Sequence, residues 1–244
     1  MCYHKSQTLT VDKLSDYYAA RYSDAVAEQM EVRYHENGFD FFPGPVITRD
    51  TPRTINMFHW GLIPWWAKSV KQAQEIRMRT LNCVSEEMFD KPSFRDSLKD
   101  GKRCLIPCTG FYEWRHEGKL KYPYFIGLDK TEVFSLAGLY STWTDRSSGN
   151  VINTYTVLTT AANPLMEKIH NSKKRMPVIL AREHEGDWLN ENLTKDDVGA
   201  LCAPIRAERM KAYTISKMIT DRKIINKNVP EIQSEYEYNE LNGL

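Results

Sequence analysis

The 244-residue sequence has no apolar run near the roughly 20 residues that a bilayer-spanning helix requires. Its opening stretch, MCYHKSQTLTVDK, lacks the apolar core of a secretory signal, so a cytoplasmic, bacterial protein without membrane association is expected. Repeats, low-complexity tracts and Pro/Gly/Ser linkers are also missing, which points to one domain over residues 1–244. There is no charge excess: 33 basic and 32 acidic side chains leave a net charge of +1. That balance argues against a protein held on nucleic acid by bulk charge, yet it is compatible with a compact basic groove. Cysteine is scarce and unpaired in spacing. Cys104-x-x-x-Cys108 is the only close pair among five cysteines, and no second Cys/His pair follows it. A disulfide framework and a structural zinc site are therefore not expected, and no metal or cofactor is called for.

What is present suffices for an ordinary globular core, with 41% hydrophobic and 27% charged residues. Val11, Leu14, Tyr18, Tyr22 and Val26 recur at three- to four-residue intervals, which predicts one amphipathic helix over residues 11–30. The stretch around Pro43 and Pro45 reads as irregular, followed by a strand at Ile55–Trp60. Helices are expected at 66–78 and 93–99, the latter closed by Gly101. Residues 103–107, 111–115, 122–128, 133–142 and 151–159 alternate β-branched or aromatic residues with polar ones and are separated by turn signals. A short helix at 162–169, a strand at 176–180, helices near 183–190 and 194–202, and a strand around 211–215 complete the reading. Hairpins with peripheral helices indicate an α+β fold with a largely antiparallel sheet core.

Five places carry candidate chemistry. Cys2 becomes N-terminal once Met1 is trimmed, and an N-terminal cysteine holds an amine and a thiol on adjacent carbons. Their reference pKa values, about 7.7–8.0 and about 8.5, leave both partly nucleophilic near neutrality. The amine can condense with an aldehyde and the thiol can then close a thiazolidine; alternatively, Cys2 is an unremarkable residue at a frayed terminus. Glu113 lies among Phe111, Tyr112 and Trp114, where desolvation would raise its pKa toward proton-transfer use, unless it simply occupies the solvent face of a strand. His170 precedes a basic connection, Lys173, Lys174 and Arg175, that suits phosphate contact and proton movement but also reads as a solvated turn. Asn82 could hydrogen-bond a substrate, or serve turn chemistry beside a Ser85 helix cap. Trp65 and Trp66, beside Lys68, could stack unpaired bases or bury as a core pair.

Taken in order, Met1-Cys2, Trp60-Gly-Leu-Ile-Pro64 with Trp66-Ala-Lys68, Lys91-Pro-Ser-Phe-Arg95, Gly110-Phe-Tyr-Glu-Trp114, and His170-Asn followed by Arg175-Met-Pro-Val-Ile-Leu180 resemble the SOS-response-associated peptidase family nearly end to end. The resemblance implies a DNA-damage protein that recognises abasic sites in single-stranded DNA as a monomer and crosslinks to them through Cys2. On the matching positions it implies Asn82 as a hydrogen-bonding partner, Glu113 as the proton shuttle and His170 as a second acid/base. Abasic-site lyase and autoproteolytic activities are compatible with it. Two positions depart from the pattern. Val84 stands where the family often has an arginine for phosphate, and Tyr3-His4 replaces Gly-Arg, leaving Arg79, Arg95 or Arg175 to compensate. An N-terminal-nucleophile peptidase and a non-catalytic single-strand DNA-binding module are the competing classes.

Overall fold

The computed structural model describes residues 2–241. The chain starts with strand β1 (His4–Gln7), whose sequence is polar but whose Lys5, Ser6 and Gln7 are buried. Each finds a partner. Lys5 Nζ meets Glu36 Oε2 at 2.5 Å, Ser6 Oγ lies 3.0 Å from Thr109 Oγ1, and the Gln7 amide bonds the Leu9 backbone in both directions at 2.9 Å. Helix α1 (Val11–Tyr18) is capped by the Thr10 side chain and stops at Ala19, whose φ of 49° is left-handed. A second cap, Ser23, starts α2 (Asp24–Gln29). The single helix expected over 11–30 is thus two helices, because the left-handed Ala19 ends the first.

Strands β2 (Arg33–Asn37), β3 (Pro43–Thr48) and β4 (Ile55–Trp60) follow. The Pro43–Pro45 stretch, read as irregular, is a strand that pairs antiparallel with β4 from Pro43↔His59 to Ile47↔Ile55. Proline removes one donor each but leaves the carbonyls free to pair. Next come α3 (Val70–Arg77), the short strand β5 (Asn82–Val84) and α4 (Arg95–Lys99). Gly101 follows α4 with φ 66°, as its position after the helix predicts. The run of strands β6 (Arg103–Cys108), β7 (Gly110–Glu117), β8 (Leu120–Leu128), β9 (Phe134–Thr144) and β10 (Val151–Ala161) matches the predicted strands to within three residues at each end. The chain then forms α5 (Pro164–Ile169), β11 (Arg175–Pro177), β12 (Ile179–Leu180), α6 (Glu185–Trp188), α7 (Lys195–Leu201) and β13 (Met210–Thr214).

The strands make two sheets. One is antiparallel, ordered β13-β8-β7-β1-β2. In the other, β10-β4-β3-β6-β9 closes on itself through the β9–β10 pairing, and β5, β11 and β12 extend it. All of its strand pairs are antiparallel except β10–β4 and β10–β5, so the α+β reading holds. Because successive side chains point to opposite faces, neighbours such as Val46 and Ile47 feed different cores. One core joins Phe111, Ile126 and Leu128 of the first sheet to Val46, Ile106 and Tyr155 of the second. Cys2 is part of that core. No helix among the described residues is long and apolar enough to cross a membrane.

Candidate active site

Glu113 lies on β7, one alternation beyond the fully buried Phe111, and is itself only 4% exposed. The solvent-face alternative for Glu113 is therefore overturned. Burial raises its carboxyl pKa from the ordinary 4.5 to about 8, so at neutral pH it is mostly the protonated acid. The β1–β7 register, Lys5↔Phe111 and Ser6↔Gly110, carries the residues before β1 outward along Glu113. Cys2 lies there, 0% exposed, so the alternative of a residue at a frayed terminus fails. Burial, followed by the neighbouring Glu113 and Cys108, pushes its thiol well above the ordinary value, so the sulfur rests as S–H. Its Sγ lies 3.7 Å from the His4 carbonyl oxygen.

His170 follows the last residue of α5 and is 6% exposed. Its Nδ1 lies 2.8 Å from the Arg175 carbonyl oxygen, which can only accept, so Nδ1 carries the proton and Nε2 bears the lone pair. That Nε2 faces Glu113 Oε2 at 3.7 Å. Burial lowers the His170 pKa to about 4, so at neutral pH an uncharged imidazole faces an uncharged carboxylic acid and the pair is not a salt bridge. The arrangement is a proton donor beside a proton acceptor in a dry setting, poised for transfer in either direction.

The two groups open into a cleft of about 670 Å³, also lined by Val84, Lys121, Ser172 and Lys173. Val84 and Asn82 sit two residues apart on β5 and therefore share a face. Asn82 is 8% exposed, and among the described residues neither its Oδ1 nor its Nδ2 has a hydrogen-bond partner, an arrangement suited to a polar ligand. The turn-and-cap alternative for this segment does not hold: Asn82 is in a strand, and Ser85 makes no side-chain cap.

The remaining sequence candidates divide. Lys173 and Arg175 line the cleft. The Arg175 guanidinium is already engaged, forked onto Glu86 at 2.7 and 2.8 Å and bonded to the Thr159 carbonyl at 2.5 Å. Lys174 is exposed in the same loop with φ 51° but does not line the cleft. Trp65 reaches the surface at 57% exposure with Nε1 3.1 Å from Asp96 Oδ2, whereas half-buried Trp66 donates to the Pro92 carbonyl. Lys68, Arg79 and Arg95 are exposed, and none of them lines this cleft. Arg79 and Arg95 therefore do not fill the place of the arginine missing at Val84. Besides Arg175, the lysines that line the cleft are Lys173 and Lys121, and sequence reasoning missed Lys121. Its signal was the β7–β8 hairpin, which places it across from His116, another cleft residue.

His4 supplies no charge either. Its Nδ1 lies 2.9 Å from His35 Nε2, and burial, then His35, lowers its pKa to about 3.

A family model described as "SOS response associated peptidase (SRAP)" matches residues 1–222. The chain belongs to the SRAP family. It is 40% identical over 189 residues to "Abasic site processing protein YoqW" of Bacillus subtilis, covering 77% of this chain and 79% of that one. It is also 30% identical over 199 residues to "Abasic site processing protein HMCES" of Xenopus tropicalis, covering 73% of this chain and 56% of that one. Among SRAP-like folds, a crystal structure of a Bacteroides thetaiotaomicron protein superposes with a TM-score of 0.90 at 37% identity, covering 97% of this chain and 100% of that one. A Bordetella bronchiseptica protein gives 0.73 at 25% identity, covering 88% of this chain and 100% of that one.

Proposed function

We propose that this SRAP protein recognises abasic sites in single-stranded DNA and joins covalently to them through Cys2 after removal of Met1. The observation that carries the reading is the buried Glu113–His170 pair beside Cys2, uncharged at neutral pH and open to a cleft that Lys121 and Lys173 also line. An abasic deoxyribose opens to an aldehyde. The Cys2 amine adds to its C1′ carbon, one amine proton passing to the oxygen, and Glu113 protonates the departing hydroxyl, so that water leaves and a protonated imine forms. The Cys2 thiol then adds across the C=N bond. Its proton restores the Glu113 acid while the nitrogen keeps the proton it carried through the protonated imine, closing the thiazolidine with loss of one water only. His170 Nε2 can take and return the proton of the ring hydroxyl as the sugar opens. The same imine acidifies C2′, which makes strand cleavage by β-elimination an accessible side reaction.

Lys121 and Lys173 give the backbone its charge partners, and Asn82 offers an amide to the sugar or the amine. All of these groups come from one chain, so a monomer suffices. Trp65, Trp66, Lys68, Arg79, Arg95 and Lys174, outside the cleft, are proposed to extend the track for flanking nucleotides, where exposed aromatics and cations support stacking and charge contact.

The test is incubation with an oligonucleotide bearing one abasic site, read on a denaturing gel and by intact-protein mass. The expected result is an adduct of protein plus oligonucleotide minus one water, absent in Cys2→Ala and slowed in Glu113→Gln with binding preserved. An undiminished adduct with Cys2→Ala overturns the assignment. Cleavage of a peptide panel without any DNA adduct would favour a peptidase instead.

A further inference from the structure

An aromatic cluster outside the mechanism stands next to the cleft. Residues Phe39, Phe41 and Phe42 come in quick succession between β2 and β3, and Phe39 and Phe42 are 40% and 41% exposed. Large apolar side chains at that exposure are ordinary when scattered, but these stand three residues apart on one turn whose backbone is pinned. The turn is fixed by Gly38 N–H donating to the Tyr3 carbonyl at 2.8 Å and Phe39 N–H donating to Asn37 Oδ1 at 3.2 Å. The Phe41 carbonyl accepts from His59 Nδ1 at 2.9 Å and from Arg77 Nη2 at 3.2 Å. Phe41 itself is held at φ 55°, a left-handed conformation that a bulky residue adopts only under constraint. Gly38 lies tight against Trp60 and Leu81, where a Cβ would come within 3.2 Å of both.

Phe39 joins the turn to the cleft wall. Phe39 packs on Tyr3 with ring centroids 5.3 Å apart, and Tyr3 lines the cleft beside the residue that carries the proposed nucleophile. Arg33 holds its guanidinium 4.0 Å over the Phe42 ring while also pairing with Glu31 at 2.7 Å. The exposed Asp40 lies between the aromatics and disfavours a phosphate running along the turn itself. A flat, uncharged face is what such a surface can take, with the anionic backbone displaced toward Arg33.

We infer that Phe39 and Phe42 form a stacking platform for an unpaired nucleobase adjacent to the abasic position. The inference rests on the proposed abasic-site reading and adds to it a reason for single-strand selectivity, since a base must leave its duplex stack to lie on the turn. The alternative occupant of an aromatic surface, an apolar protein segment, would be indifferent to the presence of bases in a nucleic acid.

The test uses fluorescently labelled single strands whose central base-free spacer cannot react. One has natural bases on both sides of the spacer, and the other has further base-free spacers there. Fluorescence anisotropy with the full chain is expected to show Phe39→Ala binding the base-flanked strand about 5- to 150-fold more weakly, the range that stacking of one base spans. Binding of the spacer-flanked strand is expected to stay unchanged, and Phe39→Trp to restore the difference. Phe42→Ala is the second variant should Phe39→Ala unfold, and far-UV circular dichroism reports on that. Equal losses on both strands, no loss on either, or wild-type protein that binds both strands alike would overturn the platform. Because no covalent step is involved, failure of crosslinking in the earlier assay would defeat the abasic-site chemistry without touching this result.

Discussion

Replacing Glu113 by glutamine gives a stability test that needs no substrate. The folded protein keeps Glu113 protonated up to about pH 8, whereas the unfolded chain releases that proton near the ordinary value of 4.5. The folded state thus binds more protons between these limits, so the contribution of this side chain to stability is largest below pH 4.5 and is lost as pH rises toward 8. At about 1.4 kcal/mol per pH unit, the loss reaches about 3 kcal/mol by pH 7. His170 runs the opposite way. Its folded pKa of about 4 lies below the ordinary 6.5, so the stability it contributes is present above 6.5 and is lost as pH falls toward 4. The two slopes oppose each other between pH 4.5 and 6.5, and in the wild type the Glu113 contribution is partly masked there. The difference between Glu113→Gln and wild type removes the masking, because a neutral amide keeps the shape and has no proton to release. Urea unfolding at about pH 5 and about pH 8 is expected to show the variant near wild type at the lower pH and more stable by about 2–4 kcal/mol at the higher. A difference that is the same at both pH values would show that Glu113 titrates normally, and its place as the acid of the site would fall with it. The rate of the proposed crosslinking carries a related signature. It needs a free amine, favoured above about pH 8, and a protonated Glu113, favoured below it, so a bell-shaped profile centred near pH 8 is expected.

Two further outcomes follow from charge placement. Lys5 and Glu36 are 0% and 2% exposed and meet at 2.5 Å, so Lys5→Met leaves a carboxylate buried without its partner. A loss of about 3–5 kcal/mol is expected in chemical denaturation, and the double variant Lys5→Met/Glu36→Leu should recover much of it; a single variant as stable as wild type would mean that Glu36 is not held as a buried anion. Lys121 and Lys173, facing the cleft, are each expected to lower the slope of log affinity against log salt by about 0.7 on single strands when changed to alanine, whereas Arg79→Ala should alter affinity less, since it does not line the cleft.

The fold was legible where burial follows a period. The strands from Arg103 to Ala161 alternate residue types along their length, and the hairpin turns between them carry glycine or Asp/Asn/Ser. Strand β1 was not legible, because His4-Lys5-Ser6-Gln7 contains no apolar residue to alternate. It is buried through partners that come from elsewhere in the chain, such as Glu36 and Thr109, and no local pattern announces them. The same physics made the site half readable. Residue chemistry nominated Cys2, Asn82, Glu113 and His170, and the structure buries all four, three of them polar side chains that would not be expected inside without a reason. Sequence could not say which surface cations share the cleft. Lys121 and Lys68 are both exposed lysines, but only Lys121 sits across a hairpin from a residue of the cleft wall. The buried polar residue is therefore the more transferable signal. A glutamate predicted among aromatics is ambiguous until its desolvation is known, and once it is known, the raised pKa near 8 and the destabilisation it causes at neutral pH are a single fact. A side chain that weakens the fold at neutral pH is explained by a task at that position, and proton transfer in the proposed Cys2 chemistry is a task the surrounding groups can support.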